Sequence, residues 1–263
     1  MISELNVFHA DSLAGPMRAL AQAFEARHAG IRLKLCSGVS RDLARRILEG
    51  EACDVFAPSS PAVIEQDLLQ KKLAGSDKDA ASWYVVFSAN EMVLITAKGN
   101  PLGLHRVSDL TRPQVKFARV TGENDLARGR TIEFLKRAAA QEGRPELAQQ
   151  ILARAAADPA QPATIPDVVN AVTAGRANAG VVYYSAAVAA RKDLECLRFA
   201  DSVNMSEAIR NAATVPGTAR DVQAATQFVR FLLSAEAQGI LRETGQPPLV
   251  PALRKGAVPA ALD

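Results

Sequence analysis

Leu5-Asn6-Val7-Phe8-His9-Ala10-Asp11-Ser12-Leu13 and Ile31-Arg32-Leu33-Lys34-Leu35-Cys36-Ser37-Gly38-Val39-Ser40-Arg41-Asp42-Leu43 each run from an apolar strand straight into a helix. Behind the first junction Leu13, Met17, Leu20, Ala21 and Phe24 recur at helical spacing. Behind the second, Leu43 and Ile47 do so until Gly50 stops the helix. Two strand–helix units in succession predict a parallel α/β arrangement. Each junction also brings a serine, Ser12 or Ser40, to a helix N-terminus. Free backbone N–H groups and a partial positive charge there can hold a small anion. The plainer reading is that both serines cap their helices.

The alternation continues. Asp54-Val55-Phe56-Ala57 is a short strand, and Ser59-Ser60-Pro61 opens a helix with serine at the cap and proline at the first turn. Trp83–Phe87 and Glu91–Ala97 are extended segments, and Val115–Val120 is a strand. The loop Thr121–Arg130 feeds a helix over Thr131–Gln141, and Pro145–Ala156 and Pro166–Ala174 are helical. Ala179–Tyr183 is a strand, with Ser185–Arg191 helical and Leu194–Phe199 extended. Ile209–Val215 is a strand. Ala219–Leu233 and Ser234–Thr244 are closing helices without a sheet of their own. This order predicts one lobe interrupted by a second, with crossings near Trp83–Phe87 and Leu197–Ala200. Lobe one is expected over 1–87 and 199–263, and lobe two over 88–198. The ligand is expected where loops at strand C-termini converge in the cleft.

Composition narrows the function. The chain has 263 residues and a net charge of +3, too small to argue for nucleic acid. No apolar run reaches the length of a membrane span. Cys36, Cys53 and Cys196 match no metal-ligand spacing and are expected reduced and buried, with at most one pair bridged. His9, His28 and His105 form no zinc motif. Neither a nucleophilic triad spacing, nor GxGxxG, nor GxxxxGK[ST] is present, so no enzyme is expected. The first strand begins within five residues of Met1 with no leader before it. Either the protein is cytoplasmic, or this is the mature part of a periplasmic protein whose leader has been removed.

Five segments, in order, resemble the solute-binding proteins of molybdate and tungstate ABC transporters. They are Val7–Leu13; Gly38–Ile47 with Cys53–Ala57; Trp83–Glu91, similar to the archaeal-type branch; Gly180-Val181-Val182-Tyr183; and the closing pair from Phe228 to Gln238. The resemblance implies a two-lobed type II periplasmic-binding-protein fold and a monomeric receptor for a membrane permease. No cofactor is implied, and no metal beyond the oxyanion's own metal centre. Carried over by position, Ser12 and Ser40 are hydroxyl and N–H donors, with Ser37 a substitute for Ser40. Ile165 and the Asp125–Arg128 loop supply backbone N–H groups, and Tyr183 a phenolic donor. Asp125 matches a carboxylate that in the archaeal-type branch approaches the metal centre. Tyr183 stands about where that branch has a second carboxylate, so the implied ligand is an intact tetrahedral oxyanion.

Two positions depart from that pattern. Asp11 places a carboxylate beside the anion site. Arg128 places a guanidinium in a site loop, where it could serve a sulfate, an organic phosphate or a small polycarboxylate instead. A cytoplasmic effector-sensing domain on the same fold is the alternative of another class. For the remaining polar and aromatic residues the structural role is expected: Trp83 and Tyr84 in hinge packing, Asn90 satisfying backbone groups, Arg45 and Arg46 on a solvated helix face, and His9 packed.

Overall fold

The computed structural model describes residues 2–123 and 125–262. In chain order the elements are β1 (Ser3–Ala10), α1 (Ala14–Arg27), β2 (Ile31–Gly38), α2 (Ser40–Leu48), β3 (Val55–Ala57), α3 (Pro61–Asp67) and β4 (Trp83–Ala89). Then come β5 (Met92–Ala97), β6 (Phe117–Ala118), α4 (Leu126–Gln141), α5 (Glu146–Ala156), α6 (Ile165–Thr173), β7 (Ala179–Tyr183), α7 (Tyr184–Ala189), β8 (Leu194–Leu197) and α8 (Asp201–Asn204). The chain ends with β9 (Arg210–Ala213), α9 (Val222–Leu232), α10 (Ala235–Glu243) and β10 (Pro248–Gly256).

These elements form two compact units, one running to Ala89 and resuming at Ile209, the other spanning Asn90–Ala208. In unit one, β1 is the middle strand of a parallel sheet ordered β2-β1-β3. A second, antiparallel sheet is ordered β10-β4-β9, and a bridge between Phe56 and Thr214 ties the two together. The helical face read from the sequence is the face that packs. Leu13, Met17, Leu20 and Phe24 are fully buried, and Phe24 meets the edge of Phe228 at a centroid distance of 5.1 Å.

Unit two holds a four-stranded sheet ordered β6-β7-β5-β8, in which β6 and β7 run parallel. Its core gathers Val93, Leu94, Ile95, Phe134, Leu135, Val181 and Val182, all without exposure. The unit ends at Ala208 rather than at 198 because Glu91 holds the returning chain. That buried carboxylate takes a 2.5 Å ion pair from Arg198 and a 2.8 Å hydrogen bond from Asn204, while α8 packs on α4.

Three local expectations are corrected. The strand expected over 115–120 pairs only at Phe117–Ala118. The helix expected from Thr131 begins at Leu126, because the Asp125 carboxylate accepts the Ala127 N–H at 2.8 Å and caps it there. The last strand, β10, was not anticipated; it pairs with β4 and packs against α10, while α9 packs on β1. All three cysteines are free thiols, and only Cys53 is fully buried; Cys36 and Cys196 are half-buried. Among the described residues no helix is long and apolar enough to cross a membrane.

Candidate functional site

In unit one the candidate residues lie at the carboxyl ends of the parallel strands. Strand β1 breaks into a turn over Asp11–Leu13, and the Ser12 carbonyl accepts a hydrogen bond from Gln246 Nε2 at 3.1 Å. Ser40 is the first residue of α2 and is buried. Val39, not Ser40, holds the cap position of α2, so the capping reading does not hold for Ser40. Ser40 Oγ instead accepts the N–H of Ser59, from the loop after β3, at 3.3 Å. With its oxygen so engaged, the Ser40 hydroxyl keeps its proton to donate. Asp11 accepts a hydrogen bond from the Ser37 hydroxyl, which commits both side chains to each other and removes Ser37 as a substitute for Ser40.

In unit two the corresponding strand ends are those of β6 and β7. After β6 the chain turns through Thr121 and Gly122, whose N–H groups donate to the carbonyls of Pro162 and Ala163 at 3.0 and 3.1 Å. The approach requires glycine: a Cβ on Gly122 would stand 2.7 Å from the Ala163 oxygen. This contact sets the start of α4 beside the start of α6. Helix α6 is capped by Thr164, with Asp167 returning the bond to the Thr164 N–H. Ile165 follows as its first residue, with its side chain buried.

Tyr183 ends β7 and is buried, and its phenolic oxygen accepts from Arg130 Nη1 at 2.7 Å. The same guanidinium lies over the ring, 5.6 Å from its centroid. Burial raises the phenol's pKa, Arg130 opposes that, and the Asp125 carboxylate adds to it. Tyr183 is therefore a neutral hydroxyl with its proton left to give.

Asp125 spends one oxygen on the α4 cap. Arg128, expected in a loop, is the third residue of α4 and is exposed, with no side-chain hydrogen bond or ion pair among the described residues. Arg119, just past β6, is half-buried, and its Nε is buried without a partner.

Of the expected residues, unit one thus presents Ser12 and Ser40, and unit two gathers Asp125, Arg128 and Tyr183 with Ile165 at the neighbouring helix start. Ser59, Gln246 and Arg119 were not anticipated. Ser59 sat inside a stretch already read as a helix start, while the other two carry no motif. Asn90 behaves as read, accepting the N–H of Glu91 at 2.9 Å and donating to Ser185 at the same distance. Among the described residues no cluster of three or more His, Cys, Asp or Glu could hold a metal ion.

Known proteins resemble this chain over nearly its full length. The molybdate-binding protein ModA of Mycobacterium tuberculosis is 26% identical over 243 residues, covering 91% of this chain and 82% of that protein. A periplasmic molybdate-binding protein of Azotobacter vinelandii superposes with a TM-score of 0.71 at 16% identity, covering 94% of this chain and 99% of the other. The Campylobacter jejuni protein PEB3, solved with L-phospholactate bound, also reaches 0.71, at 14% identity and 92% and 99% coverage. These likenesses establish the two-lobed type II periplasmic-binding-protein fold. With residues 5–246 matching its sequence pattern, the chain belongs to the bacterial extracellular solute-binding protein family.

Proposed function

We propose that this protein is the periplasmic receptor of an ABC transporter and binds a small tetrahedral oxyanion, with molybdate or tungstate the first candidates. One observation supports this most. In each unit a buried hydroxyl, Ser40 or Tyr183, already accepts a hydrogen bond and keeps its proton to donate. A hydroxyl whose oxygen is engaged in this way is a polarised, stronger donor. Ser12 and the N–H of Ile165, at strand and helix ends, would complete a largely neutral donor set. Such a set suits an intact oxyanion, because a dianion is held without a rigid counter-charge, and an unfilled buried donor costs about 1–3 kcal/mol. That penalty rejects anions of the wrong size. The receptor would work as a monomer and deliver its anion to a membrane permease.

A second reading is favoured by the guanidiniums of Arg119, Arg128 and Arg130, which suit a more highly charged ligand such as an organic phosphate. The phospholactate held by PEB3 on the same fold is of that kind. Thermal shift with molybdate, tungstate, sulfate and inorganic phosphate ranks the bare oxyanions. Molybdate or tungstate should give the largest shift, since ligand at a hundred times its Kd stabilises by about 2.7 kcal/mol. Absence of a shift with all four would overturn the oxyanion reading.

A further inference from the structure

In unit one a chain of uncharged side chains runs from the β10-β4-β9 sheet to the turn that carries Ser12. Asn211, in β9, is fully buried. Its Nδ2 donates to Ser88 Oγ of β4 at 2.9 Å and to Gln246 Oε1 at 2.6 Å. Gln246 is equally buried, and its Nε2 donates in turn to the Ser12 carbonyl at 3.1 Å. The main chain around Gln246 is fixed as well. Its N–H donates to the Leu241 carbonyl at 2.8 Å, and the next carbonyl, that of Pro247, accepts the Ala89 N–H at 2.7 Å. The Gln246 amide is thus held from behind while it holds the Ser12 turn in front.

That turn has little else to hold it. It is a single turn over Asp11–Leu13 without a side-chain cap, and one turn fixes several dihedrals in return for one hydrogen bond. The buried Leu13 side chain anchors its end, and Gln246 orients its middle. The Ser12–Leu13 peptide is trans and planar. Fixing its carbonyl therefore turns the Leu13 N–H the opposite way and ties down the Ser12 Cα from which the hydroxyl projects. The network has a local cost. Asn211 Oδ1 is buried with no donor among the described residues, and a buried acceptor left unpaired is destabilising. An apolar pair at these two positions would avoid it. Positions that give up local stability in this way are where function is expected.

We infer that Gln246 is a positioning residue for the anion site, held in place by Asn211, and that the pair sets both the affinity and the size selectivity of the Ser12 donors. Two amides do this without adding charge, as a neutral donor set requires. A donor placed in advance spares the anion the cost of ordering it. A donor that cannot shift also cannot close on a smaller anion, whose fit then leaves it unpaired. The inference rests on the oxyanion-receptor reading proposed above and deepens it.

The test is titration calorimetry of the whole protein with molybdate and with sulfate, below the melting temperature of each variant. Gln246→Met keeps the side-chain length and removes both hydrogen bonds. It should weaken molybdate binding at least about tenfold and narrow the preference between the two anions. Asn211→Ala should weaken molybdate binding about threefold or more in the parent, yet have no further effect once Gln246→Met is present. A general loosening of the unit would instead make the two losses add. Should Gln246→Met not fold, Asn211→Ala alone must still weaken molybdate binding and narrow the preference. Molybdate affinity within about twofold of the parent in the variants, or losses that add, overturns the inference and leaves the receptor reading standing. If the parent binds neither anion, both fall together.

Discussion

At the scale of single residues, two hydroxyls with similar proposed roles differ in what else they hold. Tyr183 receives a hydrogen bond from Arg130, a half-buried side chain that can turn to water when the oxygen is lost. Ser40 receives the main-chain N–H of Ser59, which is buried and cannot turn. Tyr183→Phe should therefore weaken oxyanion binding by about 1–3 kcal/mol with a smaller loss of stability. Ser40→Ala should lose binding to a similar degree and stability by about 1 kcal/mol or more as well, because a buried donor is orphaned. Titration calorimetry and urea melts of both variants separate the two effects. Equal stability losses would show that the accepted bonds, rather than the donated protons, are what these residues supply. Asp125 was read as a ligand group from its place in a motif. Its bond to the Ala127 N–H could have been anticipated from the same letters, since an aspartate before Leu126-Ala127 is an ordinary helix start. The Gly129 inside the segment hid that signal.

At the scale of elements, the distance between β7 and α6 is set by Gly180. A Cβ there would stand 2.5 Å from Val168 Cγ1 and 3.4 Å from the Ala118 carbonyl oxygen. Valine is stiff about its first torsion, so it cannot swing aside and α6 would have to lift. Gly180→Ala should cost about 1–3 kcal/mol of stability. It should also weaken anion binding, because the start of α6 and the end of β7 carry Ile165 and Tyr183. Pairing it with Val168→Ala should restore both, which a double-mutant cycle measures; failure of that rescue would place the strain elsewhere. Elements with strong periodicity were legible in the sequence, as the buried face of α1 shows. Strand β10 was not. It contains Pro248 and Pro251, lies at a sheet edge against β4 alone, and is mostly exposed, so neither alternation nor β-propensity marks it. Strand β6 is held by two residues of pairing, fewer than any pattern can reveal. The strand-end serines were legible for the opposite reason: each follows a strand of alternating or continuous apolar residues and precedes a helix within a few residues. Gln246 and Arg119 owe their positions to long-range packing and leave no local trace.

At the scale of the molecule, each unit has its own core, so a perturbation confined to one can be read separately. His9 lies in β1 of unit one, only 2% exposed, with Nδ1 donating to the Ala10 carbonyl at 2.9 Å. Burial lowers its pKa below 6.5; Asp11 favours the charged form and Arg18 opposes it. Above pH 6.5 the ring is neutral in both the folded and the unfolded chain, and its contribution to stability is complete. As the pH falls from there through the lowered folded value, the unfolded chain binds the proton first. Stability then declines, by at most about 1.4 kcal/mol per pH unit from this one group. The chain's only tryptophan, Trp83, is buried in unit one, so its fluorescence reports on that unit alone. Urea melts followed by Trp83 should shift to lower denaturant between about pH 7 and about pH 5.5. His9→Gln, whatever its own cost, should flatten that dependence. If the substituted protein keeps the slope of the parent, the acid sensitivity of unit one originates in its carboxylates and not in the buried imidazole.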